Sequence, residues 1–265
     1  SQARAATPFH STSGFANGSE GNSTAGHFGA QWQPGAVRYQ GRVEVSDTDN
    51  ARRTGFLASA QTEAGRDLGL LASLIASRQT LQSGVTTHSL DARFGAAWRP
   101  VGSDTILLNR FDIVCAPVAE DLNQQHTWKL IENLHFNRIL RRNLQTSLHL
   151  GAKYVLTPWA RGRFDSVSTL LAWETRWNFT PKWDLGAQTS LLSGWRADQH
   201  RTSYGLSVGR SFAKNVWVSV GYNFNGFTDR DFTAARYTAA GAYVRFRIKF
   251  DQESLSGLLN VIKFE

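Results

Sequence analysis

Three groupings in this chain bring reactive or charged side chains close enough in sequence to act together. Ser147 and His149 stand two residues apart, a hydroxyl and an imidazole of the kind that pair as nucleophile and base. Asp229-Arg-Asp231, with Asp251 further on, offers oxygen ligands of the type hard divalent cations take. Arg245, Arg247 and Lys249 place three positive charges at alternate positions, a pattern suited to anions. None is sufficient for chemistry. Carboxylates two apart are common on loops, and Arg230 and Arg236 stand ready to neutralise these. No glycine-rich phosphate loop, Cys/His zinc spacing or heptad accompanies them. The sequence therefore predicts no enzyme, no cofactor and no bound metal.

The elements that carry these residues explain them better. In Tyr243-Val-Arg-Phe-Arg-Ile-Lys-Phe250, the residues Val244, Phe246, Ile248 and Phe250 alternate with Arg245, Arg247 and Lys249. On a strand they line opposite faces. The same two-residue rhythm returns from Val37 onward. Strands are expected near Val37–Val45, Thr54–Thr62, Leu68–Ser77, Thr87–Trp98, Thr105–Val114 and His126–Ile139. The second half continues with Leu144–Val155, Ser166–Phe179, Trp183–Leu192, Ser203–Phe212, Val216–Phe224 and Ala240–Phe250. Segments of membrane-spanning length with alternating hydrophobicity, joined by short turns and longer polar loops, are the mark of an outer-membrane barrel. The expected fold class is all-β, a transmembrane antiparallel up-and-down β-barrel of about 12 strands. Short turns belong to the periplasmic side, which would put both chain ends there. Residues 1–27, rich in Ser, Gly, Ala, Thr and Asn, are expected to be a flexible linker, 28–252 the barrel and 253–265 a tail.

Composition agrees. No run of about 18 apolar residues exists, which excludes a membrane-spanning helix, yet aromatics reach 12% with nine Trp. A mean hydropathy of −0.34 suits a barrel, where only alternate residues meet lipid. The net charge of +8 comes from dispersed residues without a basic run, so nucleic acid is not an expected partner. Many basic residues alternate with acids, as Arg42 with Glu44, Asp91 with Arg93, Arg110 with Asp112 and Glu174 with Arg176. Such pairs can neutralise one another across neighbouring strands. Cys115 is the single cysteine, and the absence of Met means that Ser1 is not a translational start. The chain is expected to be a mature form or the C-terminal piece of something longer.

The faces follow from parity. Leu90, Ala92, Phe94, Ala96 and Trp98 face lipid, with Asp91 and Arg93 inward; Leu148 and Leu150 face lipid, with Ser147 and His149 inward, where membrane phospholipid does not reach. Trp173, Trp177, Trp183 and Trp217 are the expected interface aromatics. Asn109 and Glu132 fall on the lipid face, which suggests a bulge or a register one residue off. The inward basic residues Arg245, Arg247, Lys249, Arg93 and Arg42 form the expected lumen cluster.

One stretch is familiar. Gly221-Tyr222-Asn223, Gly226-Phe227, Asp229-Arg230-Asp231-Phe232, Ala235-Arg236-Tyr237-Thr238 and Lys249-Phe250-Asp251-Gln252 follow one another over about 35 residues. The stretch resembles the last hairpin of C-terminal β-barrel regions in large, repeat-bearing outer-membrane surface proteins of Gram-negative bacteria. The resemblance implies a barrel that anchors surface repeats. The expected role is an anchor or assembly platform, with outer-membrane lipid and another surface or periplasmic polypeptide as partners. The loop bearing Phe227, Asp229, Asp231, Phe232 and Tyr237 is the expected contact. The alternative is a small anion-selective channel lined by the basic cluster.

Overall fold

The computed structural model describes residues 23–118, 125–159, 162–213, 216–235 and 239–248. Thirteen strands follow in chain order. They are β1 (Ser23–Trp32), β2 (Val37–Thr48), β3 (Ala51–Ala64), β4 (Leu68–Leu81), β5 (Thr86–Trp98), β6 (Thr105–Pro117) and β7 (His126–Arg141). Then come β8 (Leu144–Trp159), β9 (Gly162–Asn178), β10 (Trp183–Gly194), β11 (Gln199–Ala213), β12 (Val216–Asn225) and β13 (Gly241–Ile248). Each pairs with its sequence neighbour in one sheet ordered β1 to β13, an antiparallel up-and-down arrangement. The one described helix is a 3₁₀ turn, Thr233–Ala235.

All twelve expected strands are present, most of them longer than expected. The additional one is β1, whose first five residues belong to the stretch expected as linker. Its alternation is weak before Phe28, but the full pairing from Ser23↔Thr48 to Trp32↔Tyr39 holds it, closed by a Trp32–Tyr39 stack at 5.6 Å. The remainder of the expected linker and the tail lie outside the described residues.

Two turns illustrate how backbone chemistry sets the hairpins. Gly65, between β3 and β4, has φ +76°, a region that L side chains rarely enter. Asp198, between β10 and β11, has φ +46°, tolerated by the short polar side chain of an aspartate. The β11–β12 pairing carries two register shifts, at Tyr204/Gly205 and at Ser211/Ala213.

The chain divides into two compact units. The first comprises residues 1–101, 108–132 and 153–167, the second 102–107, 133–152 and 168–265. In the first, register places Arg42, Leu57 and Ile75 on one face and Val43, Phe56 and Ala76 on the other. Asn109 Nδ2 of β6 donates to Glu132 Oε1 of β7, and each supplies the other's polar partner. In the second unit, Glu174, Gln188 and Gly205 share one face, and Trp173, Thr189 and Tyr204 the other. A small core of Leu170, Phe227, Phe232 and Ala235 sits in this unit.

Candidate functional site

The polar faces hold the charged residues, and each unit arranges them differently. In the first, Asp112 is almost fully buried and receives two arginines. Arg93 Nε lies 2.7 Å from its Oδ1 and Arg110 Nε 2.9 Å from its Oδ2. Asp91 Oδ2 stands 3.9 Å from Arg93 Nη2. Arg42 Nη2 meets Glu44 Oε2 at 3.3 Å, with both side chains exposed.

In the second unit Glu174 Oε1 lies 3.4 Å from Arg245 Nη1 and 3.7 Å from Arg176 Nη2. Arg176 Nε lies 3.4 Å from Asp184 Oδ1, and Asp184 is buried. Arg245 also caps the Tyr243 ring at 5.7 Å, and Tyr243 lies across Gly221, where a Cβ would clash with its ring. The expected lumen residues fall in both units. Arg42 and Arg93 belong to the first unit and Arg245 to the second, each beside an acid. Arg247 is paired in register with Trp217; its side chain and Lys249 lie outside the described residues.

The segment between β12 and β13 corrects an expectation. Phe232 is completely buried and Phe227 nearly so, so neither offers a surface to a partner. Phe232 packs over Gly151 of β8, where a Cβ would come within 2.6 Å of its ring, and joins Leu170 of β9. Asn133 of β7 fastens the segment. Its Nδ2 donates to the Asp231 carbonyl at 3.5 Å, and its Oδ1 accepts from the Thr233 N–H at 3.3 Å and from His149 Nε2 at 3.1 Å. His135 Nε2 meets Thr233 Oγ1 at 2.9 Å, and its ring lies 3.8 Å from that of His149. On the other side Asn223 Nδ2 donates to the Ala239 carbonyl at 2.9 Å, while Gln188 Nε2 donates to Asn223 Oδ1 at 2.6 Å. Asp229 Oδ1 accepts the Asp231 N–H at 2.9 Å, a turn that uses the carboxylate internally. Tyr237 lies outside the described residues.

His149 thus helps to fasten the segment through Asn133. Asn133 and His135 were not singled out by sequence. The available signal was their inward parity on strands where apolar residues alternate.

Trp173, Trp177 and Trp183 are exposed on the apolar face. Trp173 Nε1 donates to Thr146 Oγ1 at 2.8 Å, and Arg210 lies over Trp183 at 5.1 Å. Trp217 corrects the set. It pairs with Ser211 and Arg247 and shares the parity of Ser219 and Gly221, which puts it on the polar face.

No protein-family profile matches the sequence, and no curated protein is significantly similar to it. Solved structures do match in fold. The siderophore receptor PirA from Pseudomonas aeruginosa aligns over 77% of this chain and 39% of its own, at 13% identity and a TM-score of 0.58. A mutant of the ferric enterobactin receptor PfeA from Pseudomonas aeruginosa aligns over 77% of this chain and 41% of its own, at 9% identity and 0.62. PirA from Acinetobacter baumannii aligns over 82% and 41%, at 10% identity and 0.59. This chain shares the fold of outer-membrane β-barrels. The chain spans about two fifths of the length of these three receptors.

Proposed function

We propose that this chain is a membrane anchor, a barrel region that holds another surface or periplasmic polypeptide at the outer membrane rather than conducting solutes. The observation that carries this reading is the occupied polar face of the second unit. Phe232 and the segment around it fill that face, and Arg176 and Arg245 stand beside Glu174 and Asp184. An anion path needs basic side chains with unspent charge, and these have carboxylates as their neighbours. The exposed Trp173, Trp177 and Trp183 supply the interfacial aromatic contacts an anchor uses. Since Phe227 and Phe232 are consumed by the fold, the held polypeptide would attach elsewhere, through the chain's ends or its other loops.

Planar-bilayer recording of the purified protein tests the reading. Silence is expected, persisting after removal of residues 1–22 and 253–265. An anion-selective conductance that falls when Arg93 and Arg245 become Glu would overturn the anchor in favour of a channel.

A further inference from the structure

Beneath the fastened segment, the second unit keeps a cavity of about 460 Å³. Its volume lies in the range of small-molecule sites, and its walls are unlike those of an ion site. Glu174, Arg176 and Arg245 line it, and Arg176 also meets Asp184, so two acids stand against two arginines. Beside them the wall offers the amides and hydroxyls of Gln145 and Ser147 from β8 and of Gln188 and Ser190 from β10, together with the His135 and His149 rings. Amides and hydroxyls both donate and accept hydrogen bonds. The Ser190 hydroxyl is the telling group, buried at 6% exposure with no hydrogen-bond partner for its Oγ. Turned toward the cavity by a change of χ1, this hydroxyl would gain from a ligand the partner it lacks in the fold.

We infer that this cavity is a binding site for a small neutral saccharide. Its vicinal hydroxyls match a wall of mixed donors and acceptors, and the carboxylate and guanidinium of the Glu174–Arg245 pair accept and donate in parallel to the same array. A free anion would have to compete with Glu174 and Asp184 for the two arginines, whereas a neutral polyol leaves those ion pairs in place. The site stands apart from the anchor reading, because a barrel that conducts nothing can still hold a sugar within its wall.

Isothermal titration of the full chain, in an amine-oxide detergent that carries no sugar, tests it with maltose as probe and inorganic phosphate as comparator. Saturable maltose binding is expected, with no phosphate heat. Ser190→Val should weaken maltose at least ten-fold, and Gln145→Ala, at an exposed position that leaves folding undisturbed, by several-fold. Heat-modifiable gel mobility identifies folded variants. Absence of saturable maltose binding, phosphate binding in its place, or unchanged maltose affinity in both folded variants would overturn the proposal, and none of these would alter a silent bilayer recording.

Discussion

The two units are built from the same alternating strands and differ in what meets their polar faces. In the first, that face stays open over β2 to β5, although Asp112 of β6 is buried. Arg42 and Glu44 are exposed, Arg93 is 42% exposed, and Leu71 and Ile75 stand there with much of their surface uncovered. In the second, Asn133, His149 and Phe232 are all nearly or fully buried. The glycines record the difference. On the first unit's polar face a Cβ added at Gly55, Gly69 or Gly95 would meet nothing closer than 3.6 Å. On the second, a Cβ at Gly151, Gly209 or Gly221 would run into Phe232, Asp184 or Tyr243. Strand alternation makes the sheet, and a returning loop with glycines cut to receive it makes one half of it dense.

Removing Phe232 should break this contrast most strongly. Phe232→Ala empties a fully buried ring site and is expected to cost about 3–5 kcal/mol. Ile75→Ala, on the open face, should cost far less. The midpoint of heat-modifiable gel mobility measures both, and equal losses would mean that the loop does not pack as described.

The apolar faces should not differ, which confines the contrast to the polar side. Leu150→Arg in the second unit and Phe94→Arg in the first should each impair assembly by about 2–4 kcal/mol if near the membrane midplane. Assembly yield into vesicles is the readout. A large difference between the two would place one of these strands outside lipid.

Glycine substitution gives a finer test. Gly151→Ala drives a Cβ into the Phe232 ring and should destabilise by about 1–3 kcal/mol, as overpacking does. Gly55→Ala has room, and a strand prefers a side chain there by about 0.5–1 kcal/mol. Opposite signs are expected from thermal melts followed by circular dichroism.

Most of the sheet was legible because a strand's two faces are written in adjacent residues. Val244, Phe246 and the arginines between them need no distant information to be sorted. β1 was half missed because Ser23-Thr-Ala-Gly-His27 contains no large apolar residue, and pairing with β2 supplies what its own pattern lacks. Trp217 was misplaced when its aromatic type outweighed its parity with Ser219, beside a strand pair that slips register at Ser211/Ala213. The loop was misjudged for a deeper reason. Long polar connections normally face solvent, and the partners that draw this one inward, Asn133 and Gly151, lie some eighty to a hundred residues away. No local pattern encodes such a meeting.

The smallest effects belong to the ion pairs whose members are partly exposed. Arg42 and Glu44 meet at 3.3 Å with side chains 40% and 50% exposed. Water and salt screen such a pair, so Glu44→Gln should change stability by no more than about 0.5 kcal/mol, and less still in high salt. Glu174 stands between two guanidiniums, of which Arg176 is only 13% exposed in its side chain. Glu174→Gln leaves Arg245 without this acid and Arg176 with Asp184 alone, at an expected cost of about 1 kcal/mol after discounting for the exposure of Glu174 itself. Its larger consequence is electrical, because a guanidinium released from its acid becomes available to anions. Melts at low and high salt, paired with bilayer recording of the same variants, separate the two effects. If Glu44→Gln and Glu174→Gln lose equal stability and neither changes the recording, the second unit's polar face is no more closed than the first's.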